Sequence, residues 1–294
     1  SQGADSAPVM APRTDRGARY LVIGHVTRDV VPGGGFTPGG TACYSALYAE
    51  RLGARVAVLT SAAELPAVFD EHPAIEVCCH LSEASTTFEN IYENGHRRQF
   101  VRGVAGPLGV NQVPAAWRES AIVHLGPLVQ EVDPRMADAF PTSLVGVTPQ
   151  GWLRAWREDG LVSAVRWESA ERVLARADVV ILSMEDLGDD REELERLRGL
   201  ARLLVLTDGR HGATVYDGSR VTRVPAFDVQ EVDPTGAGDV FAAAFFVRLH
   251  ETQDPVEAAR FANCEASFLV EAQGTSRVPT REQVEERLRF GRLR

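Results

Sequence analysis

The sequence predicts a doubly wound α/β fold, a mostly parallel sheet with helices on both faces, interrupted by one small antiparallel insertion. Unbroken apolar runs of about five residues recur along the chain, and amphipathic stretches separate them. One segment breaks that rhythm with alternating polar and apolar residues around an Asn-Gly turn. Residues 1–18 mix Pro, Gly, Ser and Asp without periodicity and read as a disordered leader, leaving one domain over 19–294.

The elements follow in order. Tyr20 to Gly24 (YLVIG) is the first strand, a helix is expected from about Thr41 to Leu52, and 55–60 (RVAVLT) is the second strand. In residues 86–101, Asn94-Gly95 sets a two-residue type I′ hairpin. That turn places Tyr92 opposite Arg97, Asn90 opposite Gln99 and Phe88 opposite Val101 on one side, with Glu93 opposite His96 and Ile91 opposite Arg98 on the other. The first side carries hydrogen-bonding groups suited to a polyol; a solvated hairpin packed on the domain is the other reading. Further buried strands are expected at 121–126, 144–148, 179–183 and 203–207. No repeat at solenoid periods occurs.

Composition narrows the chemistry. The formal charge of -10, with arginines scattered among acids, disfavours a polyanion partner such as nucleic acid. No apolar run approaches the roughly 18 residues of a membrane span, and a cytoplasmic protein is expected. Cys43, Cys78, Cys79 and Cys264 form no CxxC and read as idle thiols. The chain contains no lysine, so all 31 basic residues are arginine. A Walker-A loop, a protein-kinase strand lysine, a Schiff-base aldolase and a pyridoxal-phosphate enzyme are thereby excluded. Nucleotide chemistry here must rest on backbone amides, helix dipoles, metal and arginine.

The most specific stretch is Asp233-Pro-Thr-Gly-Ala-Gly-Asp239, followed by the unbroken helical run VFAAAFFVRL. A Gly-Ala-Gly turn before a buried helix presents free N–H groups, so the amides of Gly236, Ala237 and Gly238 are expected to form an anion hole for a phosphoryl group. Asp239, in the first turn and kept ionised by the helix dipole, is placed to accept the proton of an acceptor hydroxyl. A dinucleotide fingerprint would need glycine where Phe241 stands, and the first strand ends at Gly24 without a Gly-x-Gly turn, which disfavours an NAD-dependent oxidoreductase.

At this point the chain resembles the ribokinase-like (PfkB) carbohydrate kinase family. Asp233 to Asp239 look like its Asp-Thr-x-Gly-Ala-Gly-Asp signature with Pro234 at the threonine, and Gly39-Gly40-Thr41-Ala42 resembles its double-glycine substrate loop. Asp29 stands where the family binds acceptor hydroxyls, Thr207-Asp208-Gly209 with Gly212 resembles its nucleotide loop, and Asn263 falls on its adenine side. The resemblance runs over roughly residues 20–285. It implies a kinase that uses ATP and Mg²⁺, with a β lid at 86–101 over the acceptor and a homodimer through that lid as one option. Asp29, Gly39, Gly40, Thr41, Tyr44 and Asn90 would then bind a small polyol, and Thr207, Gly209, Gly212, Asn263 and Ser183 the nucleotide.

Departures from the family pattern carry information too. Thr41 and Tyr44 replace the usual asparagines of the double-glycine loop. The family's Asn-x-x-Glu appears as Ser183-Met-Glu-Asp186, which implies that Asp186 acts on magnesium through water. The variant signature and the Gly24/Asp29 opening look closest to the branch that includes inositol kinases, so a cyclitol or related sugar is the expected acceptor. A catalytically weak, metabolite-binding sensor is the alternative function. Among other candidates, His25, His124 and His211 lack metal-ligand spacing. Trp152 and Trp156, at helical spacing, read as core, and Glu192, Glu193 and Glu195 as a solvated helix face.

Overall fold

The computed structural model describes residues 17–271 and 279–294. The leader expected at 1–18 therefore lies, except for its last two residues, outside the described residues. The chain opens with β1 (Arg19–Ile23), β2 (Thr27–Val30) and β3 (Phe36–Gly39), then α1 (Thr41–Arg51), β4 (Arg55–Ala62) and β5 (Glu76–Leu81). The hairpin β6 (Thr86–Glu93) and β7 (His96–Gly103) follows, then β8 (Ile122–Leu125), β9 (Leu144–Val147) and the short pair β10 (Arg154–Trp156) and β11 (Val162–Ala164). The second half contains α2 (Ala170–Arg176), β12 (Val179–Ser183), α3 (Arg191–Leu200), β13 (Leu203–Thr207), β14 (Ala213–Asp217) and β15 (Arg220–Val224). It closes with α4 (Ala237–Thr252), α5 (Pro255–Val270) and α6 (Arg281–Phe290).

The main sheet has the order β15-β14-β13-β12-β9-β8-β1-β4-β5, parallel except where β14 and β15 run antiparallel at one edge. Alternation along each strand divides its residues between two cores. On β1, Tyr20 and Val22 face α1, α4 and α5, whereas Leu21 and Ile23 face the α2/α3 layer with Trp117, Phe140 and Trp152. Helix α4 is apolar on all sides because it is buried on all sides. Its Phe246 ring fills the space over Gly146, where a Cβ would come within 2.4 Å.

The lid is larger than a ribbon. Its four strands run β3-β2-β6-β7, so the segment carrying Asp29 belongs to it. The hairpin register is the expected one, with Phe88↔Val101, Asn90↔Gln99, Tyr92↔Arg97, Ile91↔Arg98 and Glu93↔His96. Asn94 (φ 51) and Gly95 (φ 77) both take the positive φ that a type I′ turn needs.

Two readings are corrected. Trp152 closes a 3₁₀ turn (Pro149–Leu153) and Trp156 lies on β10, so their spacing is not helical; Trp152 is nevertheless core, stacked on Trp167 at 5.4 Å. Glu193 is buried, not solvated, because its carboxylate accepts from the Trp167 amide and pairs with Arg196. Among the described residues no helix is long and apolar enough to cross a membrane.

Candidate active site

Strands β12 and β13 end side by side at Ser183 and Thr207, and the candidate site opens beyond these carboxyl ends, as expected of an open α/β sheet. A cleft of about 1050 Å³ runs from the lid to the loop before α4. Its walls include Asp29, Gly40, Thr41, Asn90, Ser183, Asp186, Thr207, Gly236, Gly238 and Asp239, so residues spread over more than two hundred positions meet in one place.

The N-termini of α1 and α4 converge there. Thr41, first residue of α1, donates its hydroxyl to Asp239 Oδ1 at 2.8 Å. Asp239 is part-buried in the first turn of α4, where burial pushes its carboxyl up to about 6, the Thr41 bond and Arg154 opposing and Asp186 adding to the shift. A carboxyl at about 6 is still mostly ionised at neutral pH, as a base requires. Gly40 (φ 87) holds the turn into α1 close against Leu128 and the His25 carbonyl.

The anion hole also differs from expectation. The Ala237 N–H is spent on Pro234 O at 3.0 Å, closing the turn. The amides of Gly238 and Asp239 have no backbone acceptor among the described residues and remain available to an oxyanion. Gly236 is left-handed (φ 79), and a Cβ there would lie 2.8 Å from the Tyr44 ring. Tyr44 therefore packs under the loop before α4 and is not among the residues that line the cleft. Gly39 does not line it either; its bare Cα makes room for the Asp29 carboxylate, which would lie 2.5 Å from a Cβ.

Asp29 accepts from Thr27 Oγ1 at 3.1 Å, yet burial raises its pKa. The hairpin side facing the cleft presents Phe88, Asn90, Tyr92, Arg97 and Gln99, and Asn90 Oδ1 is buried without a hydrogen-bond partner, an acceptor awaiting a donor. Ser183 and Asp186 clasp each other: the Ser183 amide donates to Asp186 Oδ2 at 3.0 Å and the Asp186 amide to Ser183 Oγ at 3.2 Å. Burial raises the Asp186 carboxyl as well. Beside the cleft, an apolar cavity of about 130 Å³ is lined by Thr207, Gly209, Gly212, Phe241, Asn263 and Ala266 among others. Asn263 gives its amide N–H groups to Val224 O and Pro225 O, so it shapes this cavity and has only its oxygen left to offer a ligand. His25 and His124 are fully buried in internal hydrogen bonds, and His211 is exposed away from both cavities.

Residues 160–281 match the model of the pfkB family carbohydrate kinases. Over that stretch the chain is similar to this family. It is 46% identical over 86 residues to the ribokinase of Bacillus subtilis (strain 168), and 28% identical over 250 residues to the cytidine kinase of Thermococcus kodakarensis, covering 76% of this chain and 86% of that one. The matched stretches span 29%, 25% and 26% of the first three curated relatives. A pyrophosphate-dependent kinase in the ribokinase family, solved with a pyrophosphate analog and myo-inositol, superposes with TM-score 0.73 at 24% identity, covering 90% of this chain and 99% of that one.

Within this site the sequence reading missed Arg154, Gln150 and Thr148, which reach the cleft from the 3₁₀ turn and the start of β10. No periodicity or motif marks them. The one available signal was the absence of lysine, which requires an arginine wherever the site uses a cation.

Proposed function

We propose that this chain transfers the terminal phosphoryl group of ATP to a hydroxyl of a small polyol, a cyclitol in the first instance, with Asp239 as the base. The observation that carries the reading is the position of Asp239, between the open amides that begin α4 and a polyol-sized space bounded by Asp29 and the lid. The acceptor oxygen bonds to the γ-phosphorus while the bond from that phosphorus to the β–γ bridging oxygen breaks. The bond pair leaves with ADP, and the hydroxyl proton passes to Asp239. The Gly238 and Asp239 amides receive the charge on the transferred group.

Among the described residues no cluster of three metal-binding side chains occurs, and the acids at hand are Asp186 and Asp239. That donor set suits Mg²⁺, which binds mainly through phosphates and water with one or two carboxylates. Asp186 would hold it through water, and its role would be charge neutralisation on the phosphates. For the donor, an apolar cavity of about 130 Å³ adjoins the loop before α4. It favours a nucleotide. The likeness to a pyrophosphate-dependent kinase favours a second reading, a donor without a base.

The name of that kinase's ligand, myo-inositol, supports a cyclitol, and the cytidine kinase relative supports a nucleoside as competitor. A sensor without catalysis would have no use for a positioned base. Dimerisation through the lid is part of the proposal, since β3 is its free edge and Phe36 there is 55% exposed. The test is a phosphorylation assay crossing ATP and pyrophosphate with myo-inositol, ribose, fructose and cytidine. Transfer from ATP to myo-inositol is expected. Turnover with pyrophosphate alone would replace the donor, preference for cytidine would replace the acceptor, and no transfer with any pair would leave the sensor.

A further inference from the structure

Arg154 occupies a position that the phosphotransfer reading leaves without a role. Its backbone is fixed: β10 pairs Arg154 with Ala164, its carbonyl accepts from Gln130 Nε2 at 2.9 Å, and the preceding turn is anchored by Trp152. Its guanidinium lies over the Phe88 ring at 5.2 Å and makes one long hydrogen bond, Nη1 to Leu128 O at 3.4 Å. Most of its N–H donors therefore have no protein acceptor among the described residues, although the side chain lines the cleft.

Three aspartates feel its charge, Asp29 at the acceptor end, Asp239 at the centre and Asp186 at the phosphate end, and so do Glu131 and Glu185. Its side chain lines the same cleft as the three aspartates, beside Phe88 of the lid. Among the described residues no acid closes on it as a hydrogen-bonded partner. The other cleft arginine, Arg97, is engaged with Glu185 at 2.5 Å and repels Arg154, so the two do not substitute for each other.

We propose that Arg154 is a catalytic residue that grips the phosphoryl group in flight, two of its N–H groups on two equatorial oxygens, in a chain that has no lysine for the task. A planar guanidinium with free donors is built for that bidentate contact, and an arginine that meets the charge only as it develops acts on kcat. The inference rests on the phosphotransfer reading above. A purely structural Arg154 would serve to neutralise the three acids and would be equally well replaced by any cation.

The experiment compares wild type with Arg154→Gln and Arg154→Lys in steady-state kinetics, and measures binding of ADP alone and of ADP with aluminium fluoride in the presence of acceptor. Expected for Arg154→Gln is a kcat lower by about 10³-fold, with KM for ATP and acceptor within about threefold. Its affinity for ADP alone is unchanged, and its affinity for the aluminium fluoride complex falls in step with kcat. Arg154→Lys, which keeps the charge and loses the fork, stays at least about tenfold below wild type; this variant decides the matter if the Gln protein does not fold. Wild-type kcat in either variant overturns the proposal, as does a rise in acceptor KM at constant kcat, which would make Arg154 an acceptor anchor. If wild type itself transfers no phosphoryl group, the functional reading falls and this one with it; if wild type is active and both variants are too, only this one falls.

Discussion

Asp239 sets the pH behaviour at the scale of a single residue. As a base it must be ionised, and its carboxyl is pushed up to about 6, so kcat/KM should fall about tenfold per pH unit below 6 and level off above it. Asp239→Asn should lower kcat by roughly 10² to 10⁴ with the melting temperature preserved, and unchanged turnover would remove the assignment. Thr41→Val deletes the hydrogen bond that favours the ionised form, so the acid limb should move to higher pH, visible in a pH–rate profile. The two glycines of the loop separate strain from space. Gly236→Ala meets a left-handed φ and the Tyr44 ring and should cost about 1–3 kcal/mol of stability. Gly238, at an ordinary φ with open space around its Cα, should tolerate Ala in thermal melts and show the change as a raised donor KM.

Between elements, α1 and α5 are joined by a buried pair the chemistry does not use: Tyr48 donates its hydroxyl to Glu265 Oε2. Burial pushes Glu265 up to about 7 from the ordinary 4.5. A carboxyl raised in the folded state stabilises fully below its unfolded pKa, and that contribution is lost as pH rises through the folded value. Stability should therefore decline between about pH 4.5 and 7, by up to roughly 3 kcal/mol, and Glu265→Gln, which still accepts from Tyr48, should flatten the profile in denaturant titrations. What could be read of the elements followed burial. Strands such as Val179–Ser183 and Leu203–Thr207 are buried runs of continuous apolar residues, and the sequence marks them to the residue. The half-exposed main-sheet edge strand Glu76–Leu81 carries no such pattern, and neither do the four-residue strands Thr27–Val30 and Phe36–Gly39, so the lid reads as a two-stranded ribbon when it has four strands.

In the molecule as a whole, the contiguous stretch Asp233–Asp239 was legible as a turn into a buried helix, where Gly236 takes the left-handed φ, and the hairpin register because Asn94-Gly95 fixes it. Arg154 was not legible: what makes it notable is the company of Asp29, Asp186 and Asp239, which only the folded chain assembles. The same assembly ties the lid to the main sheet through Arg97 on β7 and Glu185 in the loop after β12. Their side chains are 43% and 77% exposed, and exposed pairs are worth about 0.2–1 kcal/mol, so this latch can bias lid closure by at most about fivefold. Glu185→Gln should accordingly raise the acceptor KM up to about fivefold with kcat unchanged, and the difference from wild type should vanish near 1 M salt, where the Debye length shrinks to about 3 Å. Arg97→Ala removes the same latch along with a side chain that lines the cleft. If its effect equals that of Glu185→Gln and disappears with salt, Arg97 acts through the latch; a larger, salt-resistant rise in KM would place the guanidinium on the acceptor itself.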